Sequence, residues 1–186
     1  TPAGFRLLHT FLSTPLPADA MSYTTMNIAP FTHRENSTVL ITGVGLMGQH
    51  MARTAIKWLK PKHLVLVDHA TEIMVGTEKT LLTDFASDLQ NLSEGNTQVM
   101  AESLNIADEP EVADLFKRHR NIDYLQHTAG ISPCPLTPPE KLDKETVMKS
   151  CEVNLWGAHN LLKQAVNAKA FTPGARGVLI LSTSGT

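Results

Sequence analysis

A glycine turn set between two apolar runs constrains this chain more than any other feature. Thr38-Val39-Leu40-Ile41 is a strand-like run, and it passes into Thr42-Gly43-Val44-Gly45-Leu46-Met47-Gly48. A helix-like segment from Gln49 to Leu59 follows, then a second apolar run, His63 to Val67, closed by Asp68. Strand, glycine turn, helix, strand and acid together predict one βαβ unit of the kind that holds a dinucleotide. Gly43 would permit the tight turn off the first strand. Gly45 has no side chain to keep a pyrophosphate from the backbone, and Gly48 would let the helix lie close to the sheet. The helix N-terminus offers unpaired N–H groups and a positive dipole end to phosphates. Asp68, 20 residues beyond Gly48, falls where a carboxylate can bind both hydroxyls of an adenosine ribose. Two competing readings use the same pattern: an ordinary glycine-rich α/β turn, and the glycine turn and acid of an S-adenosylmethionine methyltransferase.

Composition narrows the class. The 186 residues are enough for one domain with a full core. A net charge of −2 argues against a nucleic-acid or membrane-surface partner, and no apolar run approaches the ~20 residues of a membrane span. Cys134 and Cys151 form no Cys-x-x-Cys pair, which points to a reducing, cytoplasmic compartment. The histidines show neither His-x-His nor His-x-x-x-His spacing, so no metal site is expected.

Residues 1–36 carry Pro2, Pro15, Pro17 and Pro30 among many Ser, Thr and Ala, and are expected to form a disordered or arm-like extension. Residues 37–186 form the expected dinucleotide-binding domain. Beyond Asp68 a helical stripe runs from Thr71 to Leu92 through Ile73, Leu81, Leu82, Phe85, Leu89 and Leu92. Gly95-Asn96 ends it, and Thr97 to Ala101 is the next strand. Asp108, followed by Glu109 and Pro110, predicts the N-cap of a helix reaching about His119. Ile122 to Gln126 is the fourth strand, leading into His127-Thr128-Ala129-Gly130-Ile131-Ser132-Pro133, whose small residues allow close approach by a ligand. A long helix, about Lys144 to Ala168, follows, with Asn154 and Gly157 in its middle where neither favours helix. The last strand is Val178 to Leu181, ending at Ser182. The alternation predicts an α/β, three-layer αβα Rossmann-like fold with a parallel sheet in the order 3-2-1-4-5 and a ligand crevice between strands 1 and 4.

These residues resemble the short-chain dehydrogenase/reductase family over about Thr38 to Thr186. The resemblance rests on Thr42-Gly43-x-Gly45-x-x-Gly48, Asp68, Asn105-Ile106, Thr128-Ala129-Gly130, Asn154 in an Asn-Leu-x-Gly stretch, and the Ser182-x-x-Gly185 end of the last strand. It is similar to a divergent branch, because the family's commoner form has a longer glycine loop, Asn at His127 and Thr128, and Asp at Asn105. A methyltransferase needs neither the Ala129-Gly130 turn nor a serine at the end of the fifth strand.

The resemblance implies hydride transfer between a nicotinamide and a secondary alcohol or ketone as small-molecule substrate. It implies NAD, with NADP disfavoured by Asp68, whose carboxylate would repel a 2′-phosphate and which His69 follows in place of an Arg. The cofactor-binding residues it implies are Thr42, Gly43, Gly45, Leu46, Met47, Gly48, Asp68, His69, Asn105, Ile106, Thr128, Ala129 and Gly130. Asn105 would bond the adenine amino group through its amide oxygen. Ser182 and Asn154 match the family's catalytic Ser and Asn, the first hydrogen-bonding the substrate oxygen and the second holding a proton-relay water. The family's Tyr-x-x-x-Lys would follow Ser182 by about a dozen residues, beyond Thr186, and neither Tyr23 nor Tyr124 can replace the Tyr. The chain is therefore expected to be a fragment of such an oxidoreductase. An inactive nucleotide-binding module, a partner subunit of the same fold, and a non-redox isomerase or cyclase are the other expectations. One of the family's interface helices is present and its successor is not, so a homo-oligomer is a further, open expectation.

Overall fold

The computed structural model describes residues 36–132 and 138–179. The expected arm up to residue 35, the prolines at 133 and 135, and Ser182 lie outside the described residues. Five parallel strands form the central sheet: β1 (Thr38–Thr42), β2 (His63–Asp68), β5 (Gln98–Ser103), β6 (Ile122–His127) and β7 (Phe171–Leu179), in the spatial order β5-β2-β1-β6-β7. Renumbered among themselves, these strands run 3-2-1-4-5, as the βα alternation predicts.

Burial follows the two-sided character of the strands. In β1, Val39 and Ile41 face one layer, with Leu64, Leu66, Phe85 and Leu89. Leu40 faces the other, with Val65, Leu115, Phe116 and Leu161. The first layer is covered by α1 (Leu46–Thr54) and α2 (Leu82–Leu92). The second is covered by α3 (Glu109–Arg118) and α5 (Ala158–Asn167). Phe85 and Phe116, both essentially inaccessible, each contribute about 1.5–3 kcal/mol of transfer free energy. Asp108 caps α3 by accepting from the Glu111 N–H at 2.9 Å, with Pro110 in the first turn, as its sequence predicts.

Four elements differ from the sequence expectation. The first half of the Thr71–Leu92 pattern is not helix but an antiparallel hairpin, β3 (Glu72–Val75) and β4 (Glu78–Leu81), and α2 begins only at Leu82. Gly76, at φ +63°, makes the turn. Ile73, Val75 and Thr80 are β-branched residues that suit a pleated strand better than a helix, and the Leu82 N–H closes the hairpin's base on the Thr71 carbonyl at 2.8 Å.

Helix α1 begins at Leu46, not Gln49. Gly45 is its N-cap and its carbonyl accepts from Gln49 N–H at 2.9 Å, a turn disguised in sequence by the poor helix former Gly48. The Lys144–Ala168 helix is α4 (Lys144–Cys151) joined to α5 by a π-helical turn over Glu152–Gly157, which takes up the disfavoured Asn154 and Gly157. Finally, β7 starts at Phe171, well before Val178. Its register slips against β6 between Ile122 and Tyr124, where Pro173 and a left-handed Gly174 lie. A proline tolerated only at such irregularities hides the strand from a pattern reading. Among the described residues no helix is long and apolar enough to cross a membrane.

Candidate functional site

The strand order reverses between β1 and β6, which stay paired to Thr42 and His127, and the loops that leave their C-terminal ends build the site. Thr42 ends β1 fully buried. Its hydroxyl lies 2.6 Å from His127 Nδ1, and its carbonyl accepts from the Thr128 N–H at 2.8 Å. The Thr128 hydroxyl donates to the Gly43 carbonyl at 2.7 Å. The glycine turn and the β6 turn are thus one hydrogen-bonded junction. Gly43 sits in it at φ +83°, so close to Thr128 and Ala129 that a Cβ would overlap their backbone atoms.

At Gly48 a Cβ would meet the Gly43 carbonyl oxygen and, next, the Thr128 hydroxyl, so Gly48 lets the first turn of α1 close on the loop and on the ends of β1 and β6. At Gly45 a Cβ would meet nothing within 4 Å. That open space lies above the start of α1, whose first N–H groups have no intrahelical acceptor. Leu46 and Met47 follow it with exposed side chains, so what they can offer a ligand is backbone N–H.

Asp68 leaves the tip of β2 and turns back to the loop. Its Oδ2 accepts from the Val44 N–H at 2.7 Å and its Oδ1 from the Ala70 N–H at 3.0 Å. His69 Nδ1 lies 3.2 Å from Oδ1, an ion pair when the exposed ring is protonated. The carboxylate therefore holds the glycine loop and keeps spare lone pairs for a hydroxyl.

Across the site, Asn105 turns its amide oxygen to the Ala107 N–H at 3.0 Å, and its own N–H donates to Glu111 Oε2 at 2.7 Å. The acceptor assigned to adenine is thus already used locally, with one lone pair left. Ile106 is held from behind: Asn160, fully buried on α5, donates to its carbonyl at 2.9 Å, and Gly157 admits the Ile106 side chain.

A cavity of about 670 Å³ joins these parts. Gly43, Gly45, Asp68, His69, Asn105, Ile106, Thr128, Ala129 and Gly130 line it, together with Ser103, Glu111, Ile131, Lys149 and Val153. Thr42, Leu46, Met47 and Gly48 do not line it. Asn154, in the π-helical turn, pairs its side-chain amide with both backbone groups of Ile131, accepting from N–H and donating to C=O at 2.8 Å each. It acts on the wall of the cavity through Ile131. Ser182 is outside the described residues, and Tyr124 is buried in β6 beneath α1 and α2.

Pattern reasoning missed Gln49, Glu111, Lys149 and Asn160. Asn160 carried a signal, since it lies three residues from Gly157 on the face that also buries Leu161 and Ala165. Glu111 carried none, because its loop contact depends on how the Asn105 turn folds.

His127 is buried and its Nε2 has no hydrogen-bond partner among the described residues. Burial pushes its pKa below the ordinary value. The unfolded chain, titrating near about 6.5, binds the proton more readily, so this stabilisation is full above that pH and is lost as pH falls below it. His63 shifts in the same direction, so the comparison must isolate His127. Melting should fall more between about pH 7.5 and about pH 5.5 in the parent than in His127→Asn. Equal falls would contradict the assignment.

No protein-family model matches the sequence, and no curated protein matches it. Solved structures do match. A short-chain type dehydrogenase/reductase from Mycobacterium ulcerans superposes with a TM-score of 0.60 at 20% identity, over 74% of this chain and 48% of its own. A short-chain oxidoreductase from Thermus thermophilus gives 0.53 at 25% identity, over 76% and 56%. A short chain dehydrogenase from Escherichia coli, complexed with NADPH, gives 0.57 at 16% identity, over 73% and 54%. The fold is that of the short-chain dehydrogenases/reductases. The chain spans about half the length of these structures.

Proposed function

We propose that the chain carries the dinucleotide site of an NAD-dependent oxidoreductase acting on a secondary alcohol or ketone in a reducing, cytoplasmic compartment. The observation that carries this is the single cavity joining the open space at Gly45, the Asp68 carboxylate, the Asn105-Ile106 turn and Thr128–Gly130, in a short-chain dehydrogenase/reductase fold. The residues present fit such a group. Backbone N–H groups at Gly45, Leu46 and Met47 would receive the pyrophosphate, since helix termini favour anions. Asp68 would accept from the ribose hydroxyls, the Asn105-Ile106 turn would border the base, and Thr128, Ala129 and Gly130 would border the nicotinamide half. When bound, that group supplies the hydride chemistry. What this chain adds is position. The Asn154 clamp fixes Ile131, and Ser182 is the proposed hydrogen-bond donor to the substrate oxygen. We assign Asn154 a positioning role, because its side-chain amide is already paired with Ile131.

Titration of the full chain with NADH and NADPH tests this. Trp156, which donates to the Ala107 carbonyl beside the cavity, is a suitable fluorescence donor. NADH should bind more tightly than NADPH, because the Asp68 carboxylate would face a 2′-phosphate, and Asp68→Ala should weaken NADH and narrow that preference. No binding of either, or an unchanged preference in Asp68→Ala, would refute the reading.

A further inference from the structure

We propose that Gln49 is a positioning residue that braces the pyrophosphate-facing loop against the β3–β4 hairpin. The proposal rests on the dinucleotide reading above. Gln49 lies in the first turn of α1 and is nearly inaccessible, 7% exposed as a residue. Nε2 donates to the Val44 carbonyl at 2.9 Å and to the Met74 carbonyl, on β3, at 2.7 Å. Both hydrogens of that amide nitrogen are therefore used, and burial leaves them no water to turn to if an acceptor is lost.

The effect reaches the ligand through one peptide plane. The Val44 carbonyl and the Gly45 N–H belong to the same trans peptide and point in opposite directions. Holding the carbonyl toward Gln49 therefore aims the Gly45 N–H away from it. Gly45 lines the cavity, whereas Gln49 and Met74 do not. Glycine accepts either sign of φ, so without a restraint this peptide could flip and present a carbonyl oxygen to a phosphate. On the other side of Val44, the Asp68 carboxylate holds its N–H at 2.7 Å. Val44 is thus pinned at both of its peptide planes, one by a residue lining the cavity and one by a residue outside it. The hairpin, anchored at its base by the Leu82 N–H to Thr71 carbonyl bond, is the fixed side of the brace.

Binding of NADH, ADP and adenosine to the full chain separates this role from general support of the fold. Gln49→Met keeps the shape and removes both donors. It should weaken NADH and ADP by about tenfold, the scale of two modest hydrogen bonds, and leave adenosine unchanged, because only the phosphates meet the braced peptide. Gln49→Asn, too short to reach both carbonyls, should show the same split. Equal losses for ADP and adenosine, or no loss, overturn the proposal while the dinucleotide reading stands. A parent chain that binds neither NADH nor ADP overturns both. In the parent, the Gln49 side-chain amide protons should exchange slowly with solvent. Fast exchange overturns the brace whether or not the variants fold.

Discussion

Gly45→Val is expected to abolish measurable NADH binding while leaving the chain folded. Gly45 has ordinary φ and ψ, −70° and −169°, and open space where a side chain would project. Valine can adopt that backbone without strain, and nothing in the protein resists its methyl groups. The cost to the fold is that of a poor N-cap, about 1 kcal/mol or less relative to glycine, which moves the melting temperature by a few degrees. The cost to a ligand is the loss of close approach to the loop backbone and helix N-terminus. That should weaken binding by at least about 100-fold, about 2.7 kcal/mol. Titration beside a melting curve checks both halves. Retained affinity would show that the pyrophosphate does not use this loop.

Two residues earlier the balance reverses. Gly43→Ala should destabilise the chain whether or not a ligand is present. Its φ of +83° is a conformation alanine rarely adopts, and the added Cβ would run into backbone atoms of Thr128 and Ala129. Backbone cannot rotate out of the way as a flexible side chain can, so the β1–β6 junction must open. With the hydrogen bonds from Thr128 to the Thr42 and Gly43 carbonyls disturbed, a loss of about 3 kcal/mol or more is expected. For a domain of this size that is roughly a 10 °C fall in melting temperature. A melt within a degree or two of the parent would show that the junction gives way more easily than its geometry implies. The two glycines of one motif thus separate cleanly, one toward the ligand and one toward the fold.

The sheet was legible because buried parallel strands leave continuous apolar runs. Leu64 to Val67 and Thr38 to Ile41 could hardly lie elsewhere than in its interior. The Asp108 cap and the glycine turn were legible because each depends on the chemistry of a few neighbouring residues. The hairpin at Glu72–Leu81 was not, since Ile73, Leu81, Leu82 and Phe85 satisfy a helical period by coincidence and only Gly76 marks the turn. Within the site, the glycine loop and Asp68 were named from spacing and the Asn105-Ile106 turn from the family resemblance, whereas the bonds that orient them were not. Asp68 reaching Val44, Gln49 reaching Met74 and Asn154 reaching Ile131 all join parts of the chain that spacing treats separately. Pattern identifies the wall of a site more readily than its supports.

The Thr128 bonds to the Thr42 and Gly43 carbonyls close a contact across 86 and 85 residues of sequence. On a chain emerging from the ribosome, the glycine turn and first helix exist long before their partner on β6 has been made. Until β6 enters beside β1, the loop lacks the restraint from Thr128. Closure over such a span carries an entropic cost that local structure does not repay. The proposed nucleotide-binding surface is therefore a late product of folding, although the motif that announces it comes early in the sequence.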